Sequence, residues 1–318
     1  MECEQEVLVE KVCEIYERLS KLEDLNPSKN VNSLFTQLVL LCIPPCPIEV
    51  TKLSNKVKEI RSKLITLCGQ AEGILESHYS TLLASYENPL TQITLFPYHS
   101  NYLKLSHLEF TLLTQHFTQV PQKVAFLGSG PLPLSSIILA SDHLKTSSFH
   151  NYDFDPMANS KASKLVSSDP DLSQRMFFHT SDILNVSDDL KDFEVIFLAA
   201  LVGMNKEEKA KVIDHLAKNM SPGAILLMRS AHGARVFLYP VIDPRDLQGF
   251  EVLSVYNPTD EVINSIIVAR KKPMLMKSMN QAICCSILPS KCSEIHGFNN
   301  PLNHGNIIEE ITIDEQLS

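Results

Sequence analysis

Glu72 and Glu76 stand four residues apart in QAEGILESHY, a spacing that puts two carboxylates on one face of a helix. Like charges so placed cost about a few tenths of a kcal/mol unless something compensates them. A bound cation or amine would do so; an ordinary solvated acidic face is the plainer alternative. Two more stretches carry chemistry. YDFDP holds Asp153 and Asp155, either of which can accept the hydroxyl hydrogens of a ribose, and RSAHGARVFLYP holds Arg229, His232, Arg235 and Tyr239. The arginines suit a ligand with several carboxylates, gripped bidentately, although two exposed arginines on a loop would look the same. That alternative fits Arg235 better than Arg229, which directly follows the buried run AILLM.

The stretch VAFLGSGPLPLSSIILA, Val124 to Ala140, organises these groups. A short apolar run gives way to Gly128, Ser129 and Gly130, and apolar residues then recur at helical spacing from Leu132, so the stretch reads as strand, glycine loop and helix. A side chain at Gly128 or Gly130 would fill the space through which backbone N–H groups approach a ligand. Pro131 and Pro133 replace the third glycine of the dinucleotide fingerprint, which weakens a pyrophosphate reading and favours a nucleoside without phosphate, such as S-adenosylmethionine (SAM). Asp153 and Asp155 follow Gly128 by 25 and 27 residues, close to the spacing of a ribose-binding acid. Asp155, just before Pro156, is equally a helix N-cap. In TSDI, Asp182 faces the same choice between an adenine amino group and an N-cap, and Ile183 offers an apolar contact to the ring. The segment FPYHSNY, which includes Tyr102, crowds aromatic and polar groups as site-lining loops do.

The elements that hold these residues follow from periodicity. Residues 1 to 118 show helical spacing: Val7 to Leu19, a second helix behind Asn32 and Ser33 that ends before Pro44, a third from about Ile48 to Tyr86, and a resumed helix after the break at Pro89. From residue 119 to 272, strands at Val124–Leu127, Ser148–Asp153, Met176–His179, Glu194–Leu201 and Ala224–Arg229 alternate with helical or polar segments. That rhythm is α/β, a doubly wound sheet. Runs at Phe250 and Ile263, with only turn residues between them, form a terminal antiparallel pair, which makes the sheet SAM-dependent methyltransferase-like behind an N-terminal helical domain. Residues 273–318 lose periodicity and read as a loosely ordered tail.

Composition narrows the partners. With a net charge of -9 and scattered Lys and Arg, the 318-residue chain is an unpromising nucleic-acid binder, and a small molecule is the expected substrate. No apolar run approaches the roughly 18 residues of a membrane span, and the acidic start lacks a leader pattern, so the expected location is cytoplasmic. The 8 cysteines have no C-x-x-C pair and read as reduced thiols. Cys42 and Cys46 have no partner pair or histidine cluster nearby, so no metal site and no prosthetic group are expected.

FPYHSNYLKLSHLEF, VAFLGSGPLPLSS, YDFDP, FLAALVGM and RSAHGARVFLYP together resemble the plant nicotianamine synthases, over residues 5 to 272. The resemblance implies a transferase that moves 3-amino-3-carboxypropyl rather than methyl groups, uses three SAM molecules as substrate, and releases 5'-methylthioadenosine and nicotianamine, a metal chelator. It implies Glu76 as the group that accepts or orients the proton of the attacking amine, and Tyr102 as its polar neighbour. Arg229, His232, Arg235 and Tyr239 would then face carboxylates. A conventional small-molecule methyltransferase in the same pocket is the alternative. Tyr102-Leu-Lys-Leu105 and Leu112-Leu113 look like the sorting signals discussed for this family, which would imply vesicle association; by periodicity they are core-facing helix residues.

Overall fold

The computed structural model describes residues 2–273. The tail expected from residue 273 lies, beyond that residue, outside the described residues. Helices come first: α1 (Glu2–Leu19), α2 (Lys29–Cys42), α3 (Asn55–Leu83) and α4 (His99–His116). They are followed by β1 (Lys123–Leu127), α5 (Leu134–Ile138), β2 (Ser148–Asp153), α6 (Pro156–Val166), the single turn α7 (Leu172–Arg175) and β3 (Met176–Thr180). The chain continues through β4 (Val195–Leu198), α8 (Lys206–Asn219), β5 (Ile225–Ser230), β6 (Phe250–Tyr256) and β7 (Ser265–Lys271).

The seven strands form one sheet in the order β3-β2-β1-β4-β5-β7-β6. β1 to β5 are parallel, and β7 runs antiparallel between β5 and β6. This is the expected terminal antiparallel pair. The period of two divides each strand between two cores. Ala125 and Leu127 face the cluster completed by Val212, Ile213 and Leu216 of α8, while Val124 and Phe126 face that of Leu105, Leu112 and Leu113 of α4. The helical segment is therefore continuous with the sheet's own core, and α1, α2 and α3 add a further cluster closed by Val236 to Leu238. Leu112 and Leu113 are buried, as the periodicity implies, whereas the Tyr102–Leu105 motif is split, with Leu105 buried, Tyr102 half-buried, and Leu103 and Lys104 exposed.

Several boundaries move. Ser28, not Asn32 or Ser33, caps α2, its hydroxyl accepting from Val31 N. Ser54 caps α3, which starts at Asn55 because Val50–Lys52 forms a separate 3-10 turn. Pro133, lacking an N–H, delays α5 to Leu134, and the turn after it is a π-helix. β4 ends at Leu198, freeing Ala199 to Met204 as a loop over the sheet edge.

Candidate functional site

The carboxyl ends of β1, β2, β4 and β5 open, together with α3 and α4, into a cavity of about 1780 Å³. Gly128 and Gly130 adopt φ of 78° and 67°, the left-handed region that glycine enters freely. Gly128 N and Ser129 N donate to the Tyr152 carbonyl at 2.8 and 3.2 Å, which folds the loop against the end of β2. Asp153 then fixes it: one carboxylate oxygen accepts from Gly130 N at 2.8 Å, the other from Asp155 N at 3.0 Å. Each oxygen keeps a lone pair for a ribose hydroxyl. Asp155 is the N-cap of α6, accepting from Met157 N at 2.8 Å, and Asp182 caps a 3-10 turn by accepting from Leu184 N at 3.0 Å. Both are exposed and line the cavity beside the buried Ile183, so capping and ligand contact are compatible there.

What stands against the glycines corrects the expectation of free ligand space at both. A Cβ on Gly128 would run into Val202 of the β4–α8 loop, whereas one on Gly130 would come 2.8 Å from Glu76 Oε2. The glycine loop therefore lies directly against the acidic helix.

Glu72 and Glu76 do not form a solvated face. Tyr102 Oη, from α4, lies 3.0 Å from Glu72 Oε1 and 3.1 Å from Glu76 Oε1, and Tyr239 Oη donates to Glu72 Oε2 at 2.9 Å. A phenol has one hydrogen. It is divided between the two carboxyls and can satisfy only one of them fully. Burial and the Glu72 charge hold the Glu76 carboxyl well above the usual carboxylate range; burial also raises Glu72, against the opposing bonds from Tyr239 and Tyr102. Burial and the two glutamates push the Tyr102 phenol well up. The two carboxyls therefore titrate as a coupled pair, with ionisation of Glu76 the more disfavoured.

Arg229 lines the cavity, but most of its donors are committed. Its Nε and Nη2 bind Glu109 at 2.7 and 2.9 Å, Nη2 also binds Ser135 Oγ at 2.6 Å, and the guanidinium sits 5.3 Å from the Phe126 ring centroid. Among the described residues only Nη1 is left for a ligand. His232 and Arg235 are not in the cavity wall. β5 ends at Ser230, and the 3-10 turn Gly233–Phe237 carries the chain away, so that His232 Nδ1 meets Ser265 Oγ at 2.8 Å. Arg235, 1% exposed, donates to the Asp260 carbonyl at 2.5 Å. Tyr239 returns to the cavity, as a neighbour of Glu72.

Sequence reasoning missed two groups. Glu109, 1% exposed, shares a helix face with Leu105, Leu112 and Leu113; a charge at that apolar position was a signal that a buried partner must exist. Lys209, 3% exposed, donates to the Ala200 carbonyl at 2.8 Å and to the Val202 carbonyl, pinning the β4–α8 loop. Burial pulls its pKa down to about 7. A lysine in the first turn of a polar helix gave no such signal. Among the described residues no cluster of three or more His, Cys, Asp and Glu could hold a metal ion, and no helix is long and apolar enough to cross a membrane.

A family model described as nicotianamine synthase protein matches residues 1–276. The chain is 62% identical over 310 residues to a nicotianamine synthase of Solanum lycopersicum, covering 97% of this chain and 98% of the relative. It is 58% identical over 323 residues to nicotianamine synthase 3 of Arabidopsis thaliana, covering all of both. Among solved structures, a glutamate-to-glutamine variant of MtNAS in complex with S-adenosylmethionine superposes with a TM-score of 0.70 at 18% identity, over 83% of this chain and 98% of that one. MtNAS in complex with MTA and tNA gives 0.69 at 19% identity, with the same coverage.

Proposed function

The chain belongs to the nicotianamine synthase family, and from that premise we propose how its cavity performs aminocarboxypropyl transfer from SAM. The observation that carries the reading is the contact of the glycine loop with Glu76: a nucleoside held by Gly130 and Asp153 delivers its reactive arm beside the two carboxylates. The sheet segment, residues 119–272, binds the adenosine, with Asp153 accepting from the ribose hydroxyls and Asp182 and Ile183 beside the base. The helical segment, residues 1–118, brings Glu72, Glu76 and Tyr102 over it.

A sulfonium has three activated carbons, and the position of the nucleophile selects among them. In this reading the acceptor amine lies in line with the γ-carbon of the amino acid arm. The new N–C bond forms as the C–S bond breaks, the electron pair stays on sulfur in methylthioadenosine, and the amine proton passes to the Glu76 carboxylate. Tyr102 holds Glu76 and Glu72 together so that the proton can move between them. Arg229 Nη1, with Glu109 fixing the guanidinium, faces a carboxylate of the arm or the acceptor. The cationic substrate compensates the carboxylates that burial disfavours.

The test is to incubate the purified protein with SAM alone and identify products by mass. Methylthioadenosine with nicotianamine is the expected result. S-adenosylhomocysteine would mean methyl transfer and overturn the reading.

A further inference from the structure

Gly73 stands deep inside the 29-residue helix α3, between Glu72 and Glu76 in sequence. Glycine is among the least favourable residues for a helix interior, so its presence there needs a reason. Close packing is the usual one, and it applies one turn earlier, where a Cβ on Gly69 would lie 3.1 Å from Met204 Cε. It does not apply to Gly73, where an added Cβ would meet nothing within 4 Å. Gly73 lines the cavity, on the helix face next to the carboxylates. The protein leaves that space open without filling it.

We propose that Gly73 is a specificity-determining position, its missing side chain reserving room for the acceptor once the acceptor is longer than one aminocarboxypropyl unit. The inference rests on the transfer reading above. Gly130 meets Glu76, so the donor arm arrives at that end of the acidic stripe, and an amine attacking there has the rest of its chain directed along α3 past Glu72 and Gly73. A short acceptor stays near Glu76. A longer one, with further carboxylates and secondary amines, must lie across the open position.

The experiment supplies SAM alone to the full-length wild type, Gly73→Ala and Gly73→Leu, quantifying methylthioadenosine, nicotianamine and shorter condensed intermediates by mass, with melting temperatures alongside. The expected result is that Gly73→Leu raises the ratio of intermediates to nicotianamine by about tenfold, with a smaller shift in Gly73→Ala, while both melt at or above the wild-type temperature. Wild-type ratios in both variants, or a proportional fall of all products, would overturn the proposal while leaving the transfer reading in place. S-adenosylhomocysteine from the wild type would overturn both.

Discussion

At Glu76 the protonation state, more than the position, sets what the residue can do. Glu76→Gln keeps the shape and removes the base, so turnover should fall by about two to four orders of magnitude, a far larger loss than that of SAM affinity measured by calorimetry, where only one of two carboxylates facing the sulfonium is gone. Glu72→Gln tests the coupling. The Glu72 charge helps hold the Glu76 carboxyl up, so removing it lowers the pKa of Glu76, and the acidic limb of kcat/KM, which rises with pH as the base deprotonates, should move to lower pH. An unmoved limb would separate the two carboxylates. The helical spacing that puts Glu72 and Glu76 on one face was legible. Spacing alone did not reveal their neighbours, because Tyr102 and Tyr239 reach them from points 26 and 167 residues away along the chain, and Tyr102 entered only through the family resemblance. The arginine-rich segment was readable as a cavity edge, yet only Arg229 and Tyr239 of its four singled-out residues line the cavity, since the 3-10 turn after β5 depends on packing against α2 and α3.

The β4–α8 loop and the glycine loop act as a matched pair, since Val202 of one occupies the space that Gly128 of the other leaves open. Gly128→Ala should therefore displace the β4–α8 loop and weaken SAM binding, whereas Gly130→Ala presses on Glu76 and should lower kcat more than affinity. The same loss in both variants would show that the loops respond as one body. Lys209 adds a pH signature. Its folded pKa is about 7, below the ordinary lysine value, so between those values the unfolded chain binds more protons and stability rises with pH. In Lys209→Met that rise should disappear, as read from urea midpoints at pH 7 and 9. Equal slopes in the two proteins would contradict the lowered pKa of Lys209. Strand identities and the terminal antiparallel pair were legible from alternation and run length. The helix starts were not, because Ser28 and Ser54 compete with other plausible caps nearby, and only packing chooses among them.

Across the whole molecule, the Glu109–Arg229 pair ties α4 to β5 inside a shared core, so the helical layer and the sheet should unfold together. Glu109→Gln leaves a buried guanidinium without its counter-charge and should cost about 3–5 kcal/mol, whereas Glu109→Leu combined with Arg229→Met should recover much of the loss, as judged by thermal unfolding. Two separate transitions in the wild type would contradict the single core. That continuity escaped the sequence, where the change of period near residue 119 marks two segments but not whether they share a core. The raised carboxyl of Glu76 beside Glu72 has an effect measurable far from the cavity. A sulfonium entering beside two carboxyls whose ionisation burial disfavours pulls them toward the ionised form, so ligand uptake should discharge protons into bulk solvent. Titration calorimetry in buffers of different ionisation enthalpy would then report different apparent heats at one pH, and the association constant would climb as the medium becomes more alkaline, until the free protein has already lost those protons.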